Sequence, residues 1–252
     1  MFKSIFHNLI LVKYNTIAEL KAENSRNYIG YLWWVLEPLL TLVIYYIAFN
    51  YIIKNERSLA SLYIGIVAYR WFASAIQRSS SSILGNNLMS LVYVHKSIFP
   101  LVIAFVDMIK FSVSLLLCIV ILLFLGYHID LSWCGIFLLV FLELLLITGL
   151  SLISAAITPF IPDFSLILAT ILQLTLFLSC VFFDLSDLTL KVQNLVKLNP
   201  LAIIIDQYRQ VLMYNKMLDF KLLSYPFIFA IVVNIVGWLI IHKFNRKYPK
   251  IS

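Results

Sequence analysis

Residues 100–125 read PLVIAFVDMIKFSVSLLLCIVILLFL, a run whose only charged side chains are Asp107 and Lys110. As a helix it extends about 39 Å at 1.5 Å per residue, more than the ~30 Å of a bilayer's hydrocarbon. Its apolar residues do not alternate with polar ones, as the strands of a transmembrane barrel would. Working outward, comparable apolar blocks cover about 31–53, 60–80, 132–157, 164–183 and 224–242, which makes six predicted spans. The composition agrees: 62% hydrophobic and 12% charged, with a mean hydropathy of +0.96. Soluble domains are nearer half apolar and a quarter charged. The expected fold class is therefore an all-α, polytopic membrane protein, one domain over residues 1–252 with no internal repeat.

A net charge of +7 and a pI near 9.3 would suit nucleic acid in a soluble chain. In a membrane protein the same excess follows from Lys and Arg retained on the cytoplasmic side, and no nucleic-acid partner is expected. Six spans return both termini to one face. Lys3, Lys13, Lys21, Arg26, Arg78, Lys96, Lys243, Arg246, Lys247 and Lys250 lie on it, against Lys54, Arg57 and the basic residues of 184–222 opposite. Both termini are thus expected in the cytoplasm. His7, Asn8 and Lys13 interrupt any signal-peptide core. Cys118, Cys134 and Cys180 show no metal spacing and read as small hydrophobes.

Three segments outside the spans carry pattern. In residues 1–29, Phe2, Ile5, Phe6 and Leu9 recur at helical spacing among Lys3, His7 and Lys13, which predicts an amphipathic helix in the membrane interface. Leu88, Leu91 and Val92 form an apolar stripe in a short cytoplasmic helix at 86–97. Residues 184–222 are too charged to span and too apolar for disorder. They read as two short amphipathic helices divided at Asn199-Pro200.

The motifs of hydrolytic chemistry are missing. There is no GxxxxGK(S/T) phosphate loop, no GxSxG elbow and no HExxH, and all four histidines fall at span ends. An enzyme is not expected. What stands out instead is charge inside spans: Glu37, Arg70, Asp107, Lys110 and Glu143, each costly unless paired or hydrated. Arg70, Asp107, Lys110 and Glu143, with Gln173, fall at similar predicted depth, so a mutually neutralising polar network is expected. It reads either as glue between helices or as the lining of a polar path. Tyr45, Tyr46, Phe49 and Tyr51 crowd the end of the first span, as an interfacial belt or as flat faces for a sugar chain.

The run Asn27-Tyr28-Ile29-Gly30-Tyr31-Leu32-Trp33-Trp34-Val35-Leu36-Glu37-Pro38-Leu39-Leu40 resembles the first-span entry of the polysaccharide-export permeases of the ABC transporter superfamily. That family comprises O-antigen, capsule and teichoic-acid exporters. Lys96-Ser97-Ile98-Phe99-Pro100 is similar to the segment after the family's coupling helix, and Asp163-Phe164 through Leu172-Gln173 to its fifth-span entry. Asn199-Pro200-Leu201 with Ile205-Asp206-Gln207-Tyr208-Arg209 resembles its periplasmic gate. Two features depart from the family. Ser179 is followed by Cys180 where Ser-Pro is common, and a second proline after Phe99-Pro100 is missing.

The resemblance implies a homodimer with its pore between the copies, moving a lipid-linked glycan from cytoplasm to periplasm across a bacterial inner membrane. Power would come from a separate pair of ATPase subunits, which hold the ATP and magnesium, so no cofactor is expected in this chain. Docking would use the coupling helix at 86–97, with Met89, Tyr93 and Lys96 opposite its apolar stripe. Asn199, Pro200, Asp206, Tyr208 and Arg209 would belong to the gate region 184–222. The rival readings are an ABC permease for a drug or lipid, and a membrane-integral glycan transferase or assembly factor that needs no ATPase.

Overall fold

The computed structural model describes residues 2–26, 28–52, 54, 58–84, 95–245 and 248, with side chains described from Ile10 onward except at Arg26. Among these residues the fold is entirely helical: α1 (Phe2–Arg26), α2 (Trp33–Ile47), α3 (Leu59–Ser80), α4 (Ile98–Phe124), α5 (Gly135–Ile157), α6 (Phe164–Leu178), α7 (Leu190–Val196), α8 (Pro200–Leu212) and α9 (Phe220–Phe244). Five stretches are long and apolar enough to cross a membrane: Gly30–Ile52, Leu59–Ser80, Ile98–Phe124, Leu131–Ile157 and Phe220–Phe244.

The block expected at 164–183 is shorter than its composition suggests. α6 has 15 residues, about 22 Å of helix. Pro159 and Pro162 delay its start, since proline cannot continue a helix. Its end is set at Cys180, whose φ of 56° is left-handed backbone that a helix cannot absorb. Val181 and Phe182 then turn inward and are buried in the main core.

α3 is the central helix, packed against α2, α4, α5, α6 and α8. Its run from Ala60 to Tyr69 is buried all round, and Ala60, Ser61, Gly65 and Ala68 keep it thin enough for neighbours to approach. α3 and α4 run antiparallel. Ser79 Oγ donates to the Pro100 carbonyl at 3.4 Å, Ser74 Oγ to Asp107 Oδ2 at 2.9 Å, and Trp71 stacks on Phe111 at 4.3 Å.

Proline within α2 creates a deficit that the fold repairs. Pro38 has no N–H, so the carbonyl four residues back, at Trp34, loses its intrahelical donor. Ser114 of α4 supplies one, its hydroxyl donating to Trp34 O at 3.2 Å. Hydrocarbon offers no water for this task, so this bond also fixes α2 on α4. Beyond Ile47 the chain loosens into a π-turn over Ala48–Ile52.

α5 and α9 make the most extensive helix pair. A Cβ at Gly149 would stand 2.8 Å from Asn234 N, and one at Gly237 only 2.7 Å from Leu152 Cβ. Asn234 fills the seam, donating to Leu145 O at 2.6 Å and accepting from Thr148 Oγ1 at 3.1 Å. Gly149→Leu should therefore cost about 1–3 kcal/mol by overpacking and lower the midpoint of thermal unfolding in detergent. Val236→Leu, on the exposed side of α9, should leave it unchanged. An unaltered midpoint in Gly149→Leu would contradict the close seam.

Candidate functional site

A cleft of about 330 Å³ opens where α1, α2, α3 and α4 meet. Its walls include Glu23, Glu37, Arg70, Arg78, Asp107 and Lys110, with Trp33, Trp34, Trp71 and Phe111 between them. Asp107 is its fixed anion, with a side chain only 2% exposed. Ser74 and Arg78 donate to it, and Lys110 lies 3.3 Å from its Oδ1 one turn along α4. Glu23 enters from the C-terminal end of α1. Lys110 Nζ sits 2.7 Å from its carboxylate, and Arg78 Nη2 lies 3.3 Å away. Across the cleft Arg70 pairs with Glu37 and donates to Thr41 Oγ1 at 3.3 Å.

The polar network expected from sequence is thus divided. Arg70, Asp107 and Lys110 share the cleft, and Asp107 and Lys110 pair one turn apart, but the further partners are Glu37, Arg78 and Glu23. Glu143 is a correction. Ser154 of α5 reaches the Ile76 carbonyl of α3 at 3.4 Å, and α5 runs parallel to α3. That register sets Glu143 level with about residue 65, roughly 7 Å beyond Arg70 along the helix. Fully buried, it accepts from Tyr208 Oη at 3.0 Å, and its other oxygen has no partner among the described residues. Gln173 is a second correction. It lies on the exposed face of α6 and lines neither this cleft nor the neighbouring one at Thr41, Tyr45 and Tyr69.

Glu23 and Arg78 escaped the sequence reading. Arg78 stands near the end of a span, where a basic residue reads as a boundary marker, and its length lets it reach back to Asp107. Glu23 lies in a segment too polar to span. The available signal was that both flank the same predicted interface.

The residues expected at a gate lie along α8, where Arg209 is 1% exposed. Its guanidinium donates to Ser61 O at 3.1 and 3.3 Å, and to Val181 O and Phe183 O at 2.9 Å each. Asp184 Oδ1 lies 3.1 Å from Nη1. Gly65 leaves room for this, since a Cβ there would stand 2.9 Å from Val181 O and 3.0 Å from Arg209 Nη2. Asn199 caps α8, accepting from Leu201 N at 3.0 Å, and donates to Ser179 Oγ at 2.8 Å. Pro200 fits the first helical position, where no N–H is needed. Asp206 and Tyr208 are buried in α8 beside Arg209.

Tyr45 meets Phe182 edge-on at 4.7 Å and Phe49 stacks on it at 5.1 Å. Tyr46 is partly buried against the same core, whereas Tyr51 is 71% exposed. Met89 and Tyr93 lie outside the described residues. Lys96 was expected on a docking face, but it is 3% exposed, with its ammonium 5.9 Å from the Phe99 ring. Its neighbour His95 is held below the usual histidine range by burial, then by the charges of His242 and Lys96. It shares a 2.7 Å hydrogen bond between Nδ1 and Ser97 Oγ.

The family profile described as ABC-2 type transporter matches residues 11–213. The chain belongs to this family. It is a permease, a component of a transporter rather than an enzyme, and the family works in a membrane with an ABC ATPase. Two proteins of Klebsiella pneumoniae, each named O-antigen export system permease protein RfbA, are 24% identical to it over 251 residues, covering 98% of this permease and 95% of theirs. A Myxococcus xanthus protein of the same name is 23% identical over 208 residues, covering 80% and 79%. The resemblance to polysaccharide-export permeases read from the motifs is borne out.

The burial of each charge ranks its importance to stability. Removing one partner of a buried pair costs about 3–5 kcal/mol, whereas exposed pairs contribute about 0–1 kcal/mol. Asp107→Asn and Arg209→Met should therefore sharply lower the detergent unfolding midpoint, and Glu37→Gln, 48% exposed, should not. Equal effects from all three would refute the ranking.

Proposed function

We propose that this permease is the transmembrane subunit of an ATP-driven exporter that carries a lipid-linked polysaccharide, O-antigen foremost, from cytoplasm to periplasm. The observation that carries the reading is the near-end-to-end match to relatives named as O-antigen export permeases, 24% identical across 98% of this chain. Because that match leaves no substantial segment over, the proposal extends to the whole permease.

In this reading α6 is a short sixth span, and both termini are cytoplasmic in the inner membrane. The apolar face that α6 leaves uncovered, with Leu166, Ile167, Ile171, Leu174 and Phe177 exposed, supports a second copy alongside, with the path between the copies. Tyr45 and Phe49, partly exposed and packed on the buried Phe182, offer that path flat ring faces suited to sugar rings. Hydrolysis belongs to a partner ATPase holding ATP and magnesium. Coupling passes through 86–97, where Tyr93 is the aromatic anchor for a groove on the ATPase.

Deletion of the gene should abolish surface glycan while lipid-linked glycan accumulates inside. Unchanged surface glycan with altered drug or lipid efflux would replace the substrate class. Tyr93→Asp should leave the permease inserted but release the ATPase on co-purification, or leave it hydrolysing without export. Normal association and export in both Tyr93→Asp and Met89→Asp would place the docking surface elsewhere.

A further inference from the structure

The charged cleft holds three cations, Arg70, Arg78 and Lys110, against three carboxylates, Glu23, Glu37 and Asp107. These carboxylates are not equivalent. Asp107 is buried on α4 and held by donors from α3 and from its own helix. Glu37 belongs to Arg70 alone among the ion pairs described. Glu23 is brought by a different element, is 28% exposed, and takes the faces of Lys110 and Arg78 that look into the cleft. The anchorage of α1 lies elsewhere, in the packing of Val12 against Ile98, Val102 and Val106. Withdrawing the Glu23 side chain leaves that packing intact and the cleft one positive charge in excess.

We propose that Glu23 is a resident stand-in for an anionic ligand, and that a lipid-borne diphosphate displaces it from Lys110 and Arg78 at the entry to the transport path. The inference rests on the function proposed above and adds its headgroup seat and a built-in competitor. Three observations point to a lipid-borne diphosphate, the last two of them setting it apart from a free anion. Arg78 Nη2 and the Lys110 ammonium converge on the Glu23 carboxylate while Arg78 Nη1 stays on Asp107, and both cations suit phosphate oxygens equally. Trp33 and Trp34 line the same cleft and offer amphipathic ring faces where a first sugar follows the phosphates. Leu40, Val43 and Ile44 continue along the exposed side of α2, an apolar track for a hydrocarbon tail. Trp71 also lines the cleft, and its buried indole N–H has no partner among the described residues, a donor still to be satisfied.

A competitor lowers apparent affinity by the fraction of time it occupies the seat, so a stand-in present nine-tenths of the time weakens the ligand about tenfold. Its value is selectivity. A monovalent phospholipid headgroup offers little over Glu23, whereas a diphosphate brings more charge and more acceptor oxygens to the same two donors.

The test uses the permease with its ATPase in phosphatidylcholine nanodiscs, titrated with polyprenyl diphosphate and followed by indole fluorescence. Glu23→Gln should bind about tenfold more tightly than the native permease, and Glu23→Asp by a smaller factor. Lys110→Gln and Arg78→Gln should each bind at least tenfold more weakly, even when combined with Glu23→Gln. Inorganic diphosphate should compete only weakly, and replacing a third of the lipid with phosphatidylglycerol should shift the Glu23→Gln curve more than the native one. Unchanged or weaker binding in both Glu23→Gln and Glu23→Asp would overturn the stand-in. Full competition by inorganic diphosphate would overturn the lipid-borne ligand. Should diphosphate binding follow this pattern while deletion leaves surface glycan intact, the seat stands and the polysaccharide reading fails. With glycan export lost on deletion but binding indifferent to residue 23, the reverse holds.

Discussion

The Arg209 guanidinium sits in the interior with 1% of its surface exposed, and every one of its donors must find an acceptor within the protein. It finds them on two parts of the chain. Ser61 is at the start of α3, while Val181 and Phe183 belong to the segment after α6, which also supplies Asp184. A helix that only packed on its neighbours could slide by a residue. One whose buried cation feeds three carbonyls cannot, because each lost bond leaves a carbonyl and a charge unmet in a low-dielectric surrounding. The inward turn of Val181 and Phe182, the early end of α6 and the seating of α8 all follow from this junction. So does the glycine at position 65, since a side chain there would occupy the guanidinium's place.

The same rule governs the opposite end of the molecule, with a different outcome. Around Arg209 three of the partners are backbone carbonyls, which have nowhere else to go. In the cleft the partners are carboxylates on flexible stems, two of them partly exposed. Carbonyl-bound charge is architecture, whereas carboxylate-bound charge can exchange one anion for another. The α2 proline shows the intermediate case. Its freed Trp34 carbonyl is met by Ser114 from α4, which both repairs the helix and locates it beside the cleft.

Much of this was legible in the linear sequence. Blocks of about twenty apolar residues dictate helices, because nothing else satisfies the backbone in hydrocarbon. Asn199-Pro200 announces the start of α8 through its cap and its missing donor. Arg70, Asp107 and Lys110 were marked by their cost in an apolar setting, and the cleft contains all three. The grouping of Glu143 with them was not legible correctly. Position within a block measures depth only if every helix starts at the same level, and the contact of Ser154 with Ile76 shows α5 displaced along α3.

The sequence by itself determined the all-helical membrane class, the family through its ordered motifs, and the expense of each charge. These depend on local composition and on the backbone's need for hydrogen bonds, which are properties of the chain before it folds. Only the tertiary structure decided that Glu23 and Arg78 complete the cleft, that Glu143 answers to Tyr208, and that Lys96 is buried. Ion pairing depends on the offset between neighbouring helices and on the reach of side chains several ångströms long. Both arise from packing, and no spacing along one strand of sequence encodes them.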